Sequence, residues 1–211
     1  MLTRMRIPMP NDSLSLSRRA FGAGLAAGAG FLAFALPVRA LTVDQARGLI
    51  DKVVSEVNSV INSGKSEAAM FKDFERIFAT YADVATIGRS ALGVAAKQAS
   101  AAQMSAFTKA FQGYISRKYG RRFREFIGGE IEVTDSKAVK SFFEVVSVAK
   151  LQGEAPFDLR WHVSDKSGKN LFFNIIIEGV NMLASERTEI GAMLDKNGGD
   201  LEATIAMMKT I

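Results

Sequence analysis

His162 is the only histidine in this 211-residue chain, and cysteine is absent. Thiol nucleophiles, disulfides, iron–sulfur clusters and cysteine-based zinc sites are therefore excluded. His162 lies in Phe157-Asp158-Leu159-Arg160-Trp161-His162-Val163-Ser164, where apolar and polar residues alternate. In a strand that parity puts His162 on the polar face and Trp161 on the other. A general base needs an orienting partner and a substrate pocket. The pocket-facing parity belongs to Trp161, so His162 reads as a surface histidine. There is no Gly-x-Ser-x-Gly elbow, phosphate loop, Gly-x-Gly-x-x-Gly or His-Glu-x-x-His. The carboxylates are scattered and lack calcium-loop spacing. The expectation is a protein without catalysis, metal or cofactor.

A second candidate is basic. Arg117-Lys118-Tyr119-Gly120-Arg121-Arg122-Phe123-Arg124 holds five cations among interleaved aromatics. The plain reading is a solvated helix end, where cations complement the negative end of the dipole. The alternative is a contact for anionic headgroups or an acidic partner through Arg117, Lys118, Arg121 and Arg122. Base stacking on nucleic acid is the weakest reading. The net charge of +5 gives it little support: residues 1–40 hold five arginines against one acid, Asp12, and so account for four of those charges.

The third signal is apolar. Phe172-Phe173-Asn174-Ile175-Ile176-Ile177 is apolar on both faces of a strand, and Phe142-Phe143 repeats the pattern. Either both faces are covered, as in an ordinary core, or one lines a cavity for an apolar ligand. Composition does not choose between them.

The elements that carry these residues can be read from period and caps. Thr42 with Gln45 forms a capping box ahead of Ala46, Leu49, Ile50, Val53, Val54, Val57, Val60 and Ile61 at helical spacing. Ser66 can cap a second helix with Met70, Phe71, Phe74, Ile77, Phe78 and Tyr81 on one face. A short helix runs from Asp83 to Leu92. Ser100 with Gln103 opens a long helix through Met104, Phe107, Phe111, Tyr114 and Ile115. The period then changes to two. Ile131/Val133, 141–148, 157–164 and 171–177 read as four antiparallel strands. Helices follow from about Asn181 to Lys196 and from Asp200 to Lys209. The expected fold class is α+β, with helices packed on one face of a four-stranded curved sheet.

Residues 1–40 read as an export signal rather than part of that fold. Ser17-Arg18-Arg19-Ala20-Phe21 resembles the twin-arginine motif through Arg18 and Arg19. A Gly/Ala-rich apolar stretch follows, and Val38-Arg39-Ala40 ends it with small residues. The stretch is shorter than the roughly 20 residues that span a bilayer. The expected products are a leader, 1–40, and one domain, 41–211, exported to the Gram-negative periplasm.

The carboxy-terminal half resembles the MlaC family of periplasmic phospholipid carriers, also called toluene-tolerance proteins. The likeness rests on Trp161-His162-Val163-Ser164-Asp165-Lys166-Ser167-Gly168-Lys169, Ile175-Ile176-Ile177-Glu178-Gly179-Val180-Asn181-Met182 and Arg187. Upstream, Tyr81-Ala82-Asp83-Val84, Ile87-Gly88-Arg89 and Leu92-Gly93 fit the same pattern. Where the family usually has Tyr before the Arg, this chain has Glu186, and where it often has Asp, this chain has Asn174. The resemblance implies an apolar cleft between sheet and helices, a phospholipid as cargo, an inner-membrane ABC transporter and an outer-membrane lipoprotein as partners, and transient contact with membrane surfaces. A subset of the family handles hopanoids, so a polycyclic lipid is the variant reading. An envelope adaptor with a closed interior and a small cone-fold enzyme are the competitors. On the inward parity the cleft is expected to be lined by Trp161, Val163, Phe173, Ile175 and Ile177, with Val133, Phe143 and Val145 beyond them. Phe111 and Ile115 would close it from the helix side.

Overall fold

The computed structural model describes residues 40–210; the twin-arginine motif lies outside them. Helix α1 (Val43–Ile61) starts at the expected capping box: Thr42 Oγ1 accepts from Gln45 N–H, and Gln45 Oε1 accepts from Thr42 N–H. Helix α2 spans Glu67–Tyr81 and α3 spans Val84–Leu92. Ser66 precedes α2 without a side-chain cap, whereas Asp83 caps α3 through Thr86 N–H. Helix α4 (Ala101–Arg122) opens at the reciprocal Ser100–Gln103 pair. It is followed by a short 3-10 turn at Phe123–Phe126.

The sheet has five strands in sequential antiparallel order, one more than expected. They are β1 (Glu130–Val139), β2 (Phe142–Lys150), β3 (Phe157–Ser164), β4 (Leu171–Ile177) and β5 (Val180–Asn181). The additional strand, β5, has two residues. Glu178 and Gly179 stand between it and β4 with φ of 49° and 80°, the left-handed pair that a two-residue hairpin of matching twist requires. Helices α5 (Met182–Lys196) and α6 (Leu201–Met208) complete the chain, capped by Asn181 and Asp200.

The inner face of the sheet is covered unevenly. Helix α1 lies along β1 and β2, while α2, α4 and the start of α5 reach over β3 and β4. Beside the sheet, α3 packs against α4 and α5. Phe107 and Phe111, both fully buried, stack at 5.7 Å there. Gly88 lets α3 approach them, because a methyl at that position would sit 3.5 Å from both rings.

Sheet edges need partners, and α1 supplies one to β1. The Asn58 amide donates to Ile131 O at 2.8 Å and accepts from Ile131 N–H at 3.0 Å, as a neighbouring strand would. Arg47 donates to Val133 O at 3.0 Å. On the opposite edge, Asp83 N–H donates to Phe172 O at 2.8 Å. Asn58→Ala is expected to cost about 1–2 kcal/mol, read by urea unfolding. Asn58→Asp, which keeps the acceptor for Ile131 N–H but sets a carboxylate oxygen against Ile131 O, should cost at least as much. Unchanged stability in Asn58→Ala would show that water replaces the side chain.

Candidate functional site

Between β3–β4 and the helices lies a cavity of about 100 Å³. The sheet contributes Trp161, Phe172, Ile175 and Ile177, and α5 contributes Met182. Val53 and Val57 come from α1, Phe74, Ile77 and Phe78 from α2, and Ile115, Ser116, Tyr119 and Gly120 from α4. The two side-chain hydroxyls in this wall are turned to the protein. Ser116 donates back to Gln112 O at 2.8 Å, and Tyr119 donates to Glu186 at 2.7 Å. An apolar space of this kind stays dry and favours hydrocarbon.

Trp161 is oriented by a buried bond from its indole N–H to Ser147 Oγ, 2.9 Å long. Its ring meets Phe172 edge-on at 5.3 Å, and Phe172 meets Phe78 at 6.0 Å. Gly120 gives room for Phe71 behind α4: a methyl there would come within 2.9 Å of that ring.

The structure sorts the expected lining residues into three groups. Ile115, Trp161, Ile175 and Ile177 line the cavity. Phe111, Val145 and Val163 are fully buried in filled core instead, and Val133 and Phe143 pack at its margin. The reason is location. Val133, Phe143 and Val145 have inward parity, but they sit on β1 and β2, where α1 fills the face.

Phe173 is a correction. Trp161 pairs with Ile175 and His162 with Asn174, but Val163 pairs with Phe172, so β4 carries one extra residue at that point. This β-bulge reverses the parity. Phe172 turns into the cavity, and Phe173 turns to the outer face against Phe142 and His162, at 5.8 Å from each. Phe74, Ile77 and Phe78 carried a signal as one helical face, and so did Val53 and Val57. Periodicity marks such faces as buried without saying whether the space opposite is full.

The basic run also divides. Arg117 donates to Met208 O at 2.6 Å, at the end of α6. Lys118 is bound to Glu186 and Glu189, at 2.7 Å each. Their charge is engaged inside the protein rather than offered to a headgroup. Arg121 and Arg122 are exposed.

His162 is on the face opposite the cavity, as parity requires, but it is no simple surface residue. It packs 4.5 Å from Phe142 and lies 3.7 Å from Glu144 Oε2. Burial lowers its pKa below the ordinary histidine value and outweighs the attraction of Glu144. Its position gives it no access to the cavity contents. Among the described residues no group of acids and histidines has metal-site geometry, and no helix is long and apolar enough to cross a membrane.

An open antiparallel sheet with helices enclosing an apolar space defines an α+β protein built around a hydrophobic cleft. The comparisons with known proteins narrow this class. The family pattern described as MlaC protein matches residues 51–210, and the chain belongs to the MlaC family. The intermembrane phospholipid transport system binding protein MlaC of Haemophilus influenzae is 25% identical over 156 residues, covering 71% of this chain and 73% of that protein. A phospholipid-binding protein from Ralstonia solanacearum, solved in complex with a phospholipid, superposes with a TM-score of 0.67 at 17% identity. The match covers 78% of this chain and 95% of that one, and at this identity it speaks for the fold. Two segments quoted for the family likeness meet in space. A methyl on Gly93, which has φ of 64°, would lie 3.3 Å from the Arg187 guanidinium.

The His162 environment predicts acid sensitivity. Its folded pKa lies below the unfolded value of 6.5, so above that pH the neutral ring suits both states. As pH falls below about 6.5 the unfolded chain takes the proton first, and stability is lost down to the folded pKa. The melting temperature should therefore fall as the pH drops below about 6.5, and His162→Gln should flatten that fall. An equal slope in the variant would assign the loss to other groups.

Proposed function

We propose that this protein is a soluble periplasmic carrier that holds phospholipid acyl chains in the cavity between β3–β4 and the helices. In this reading it shuttles lipid between the inner and outer membranes as part of an ABC-transporter-linked system. The carrying observation is the cavity wall, which is hydrocarbon throughout with its hydroxyls bonded away. The Haemophilus protein, a phospholipid transport system binding protein, and the Ralstonia protein, a phospholipid-binding protein, support the same reading.

Each exposed methylene costs about 0.8 kcal/mol in water, so a lipid crossing an aqueous space needs a dry enclosure. Release at the far membrane requires binding through area, without strong fixed polar contacts. Pockets for drug-sized ligands run to about 300–1,000 Å³, well above the 100 Å³ here. On this reading the cavity widens to take an acyl chain. An enzyme would need a catalytic group within the wall, whereas His162 faces the other way. The adaptor reading calls for a broad exposed apolar patch. The large exposed apolar residues among those described are Val94, Ile127 and Val180, on three separate segments.

Trp161 is the sole tryptophan of the chain and lines the cavity, so its fluorescence reports occupancy. Vesicles of brominated phosphatidylcholine should quench it. Val57→Phe, which directs a ring into the cavity, should reduce that quenching severalfold while leaving the fold intact by circular dichroism. Full quenching in Val57→Phe would place the lipid elsewhere. Delivery to the periplasm is assigned to the twin-arginine motif. Replacing Arg18 and Arg19 by Lys together should retain the protein in the cytoplasm in a fractionation experiment, and unchanged export would remove that assignment.

A further inference from the structure

The cavity has a neighbour. A second pocket of about 90 Å³ lies at the end of α4. Its inner part is apolar, with Phe126 and Phe157 edge-on at 6.1 Å, and its rim carries the exposed Arg122, Glu125, Glu154 and Glu178. Tyr119 and Ile177 belong to the walls of both spaces. Ile177 lies in β4 opposite Leu159. Tyr119 is the larger side chain of this shared wall, and its position is set by a hydrogen bond at its tip that can open.

Tyr119 is held by an unusual anchor. Its hydroxyl donates to Glu186 Oε1 at 2.7 Å, and Lys118 Nζ donates to the same oxygen at 2.7 Å. Glu186 is fully buried, and its Oε2 has no hydrogen-bond partner. Lys118 also binds Glu189, which accepts from Tyr114 at 2.8 Å, so the network ties α4 to α5. A buried carboxylate with an unpaired oxygen is an expensive way to join two helices, and apolar residues of similar volume serve a static core as well or better.

We propose that Tyr119 is the gate between the apolar cavity and the outer pocket, with Glu186 and Lys118 as positioning residues that hold it closed. An acyl chain then reaches the cavity through the outer pocket, past Phe126 and Phe157, when the Tyr119 hydroxyl leaves Glu186. The inference rests on the acyl-chain reading above and adds the route. Removing the hydroxyl lowers the barrier in both directions, so uptake and release both accelerate, and their ratio moves less than either rate.

The test is stopped-flow Trp161 fluorescence. Wild type, Tyr119→Phe and Glu186→Gln are mixed with vesicles of brominated phosphatidylcholine for uptake. The loaded proteins are then mixed with excess unlabelled vesicles for release. Tyr119→Phe should accelerate both steps about tenfold to a hundredfold, the worth of one hydrogen bond to a charged acceptor. Glu186→Gln, which keeps an acceptor but loses the charge, should accelerate them less. Lower melting temperatures with both rates unchanged would make the network purely structural and overturn the gate, while leaving the carrier reading in place. Acceleration of release alone would also overturn it. Absence of quenching in wild type would instead overturn the carrier reading, and the gate with it.

Discussion

The structure depends on one constraint: the apolar face of β3–β4 must be covered without being filled. Trp161, Phe172, Ile175 and Ile177 on the sheet and Val57, Phe74, Ile77 and Ile115 on the helices leave a space of about 100 Å³ between them. Closing the gap with larger side chains would gain dispersion contacts and stability. The protein instead keeps a cavity, whose unfilled volume costs stability; on the proposed reading that cost is offset when hydrocarbon enters. The other elements follow from this. Helix α1 fills the face over β1 and β2 and braces that edge with Asn58, so the cavity is confined to the half of the sheet formed by β3 and β4. The Ser147–Trp161 bond fixes the one indole in the wall, so that it does not rotate to fill the space it lines.

The polar groups divide along the same line. On the outer face, Glu144, His162, Lys137 and Arg160 form a partly solvated cluster, with Glu144 3.0 Å from Lys137. On the helix side, Tyr119, Glu186, Lys118, Glu189 and Tyr114 link α4 to α5. Burial and the neighbouring acids push the Tyr119 and Tyr114 hydroxyls far above the usual tyrosine range, so both remain donors at any physiological pH. Burial pushes Glu189 up, but the bonds from Lys118 and Tyr114 together outweigh it and leave its pKa lowered. The cavity between these clusters receives no charge from either. A carrier that must release its cargo gains from that separation, since charge-assisted bonds to a headgroup would slow departure.

Much of the fold is legible in the sequence, because caps and periodicity are local properties. Thr42–Gln45 and Ser100–Gln103 mark helix starts that the structure reproduces, and the parity of Trp161 against His162 places them on opposite faces. What escaped is non-local. The far half of β1 carries Asp135, Ser136 and Lys137 and shows no apolar alternation, since it projects past the helices and buries little. The extra residue in β4 depends on its pairing with β3, so Phe172 and Phe173 could not be told apart from their types. The basic run looked like a single surface feature, yet Arg117 and Lys118 find their partners 91 and 68 residues away. Whether the apolar faces of α1 and α2 meet a filled core or a cavity is set by a separation between elements that no residue pattern records.

Whether the cavity holds lipid in the cell is decided by native mass spectrometry of protein purified from a Gram-negative periplasm, followed by solvent extraction. A carrier emerges with a stoichiometric bound lipid, identified by extraction as a phospholipid or, for the variant reading, a hopanoid. Protein that emerges at its bare polypeptide mass and takes no lipid from vesicles is not a carrier.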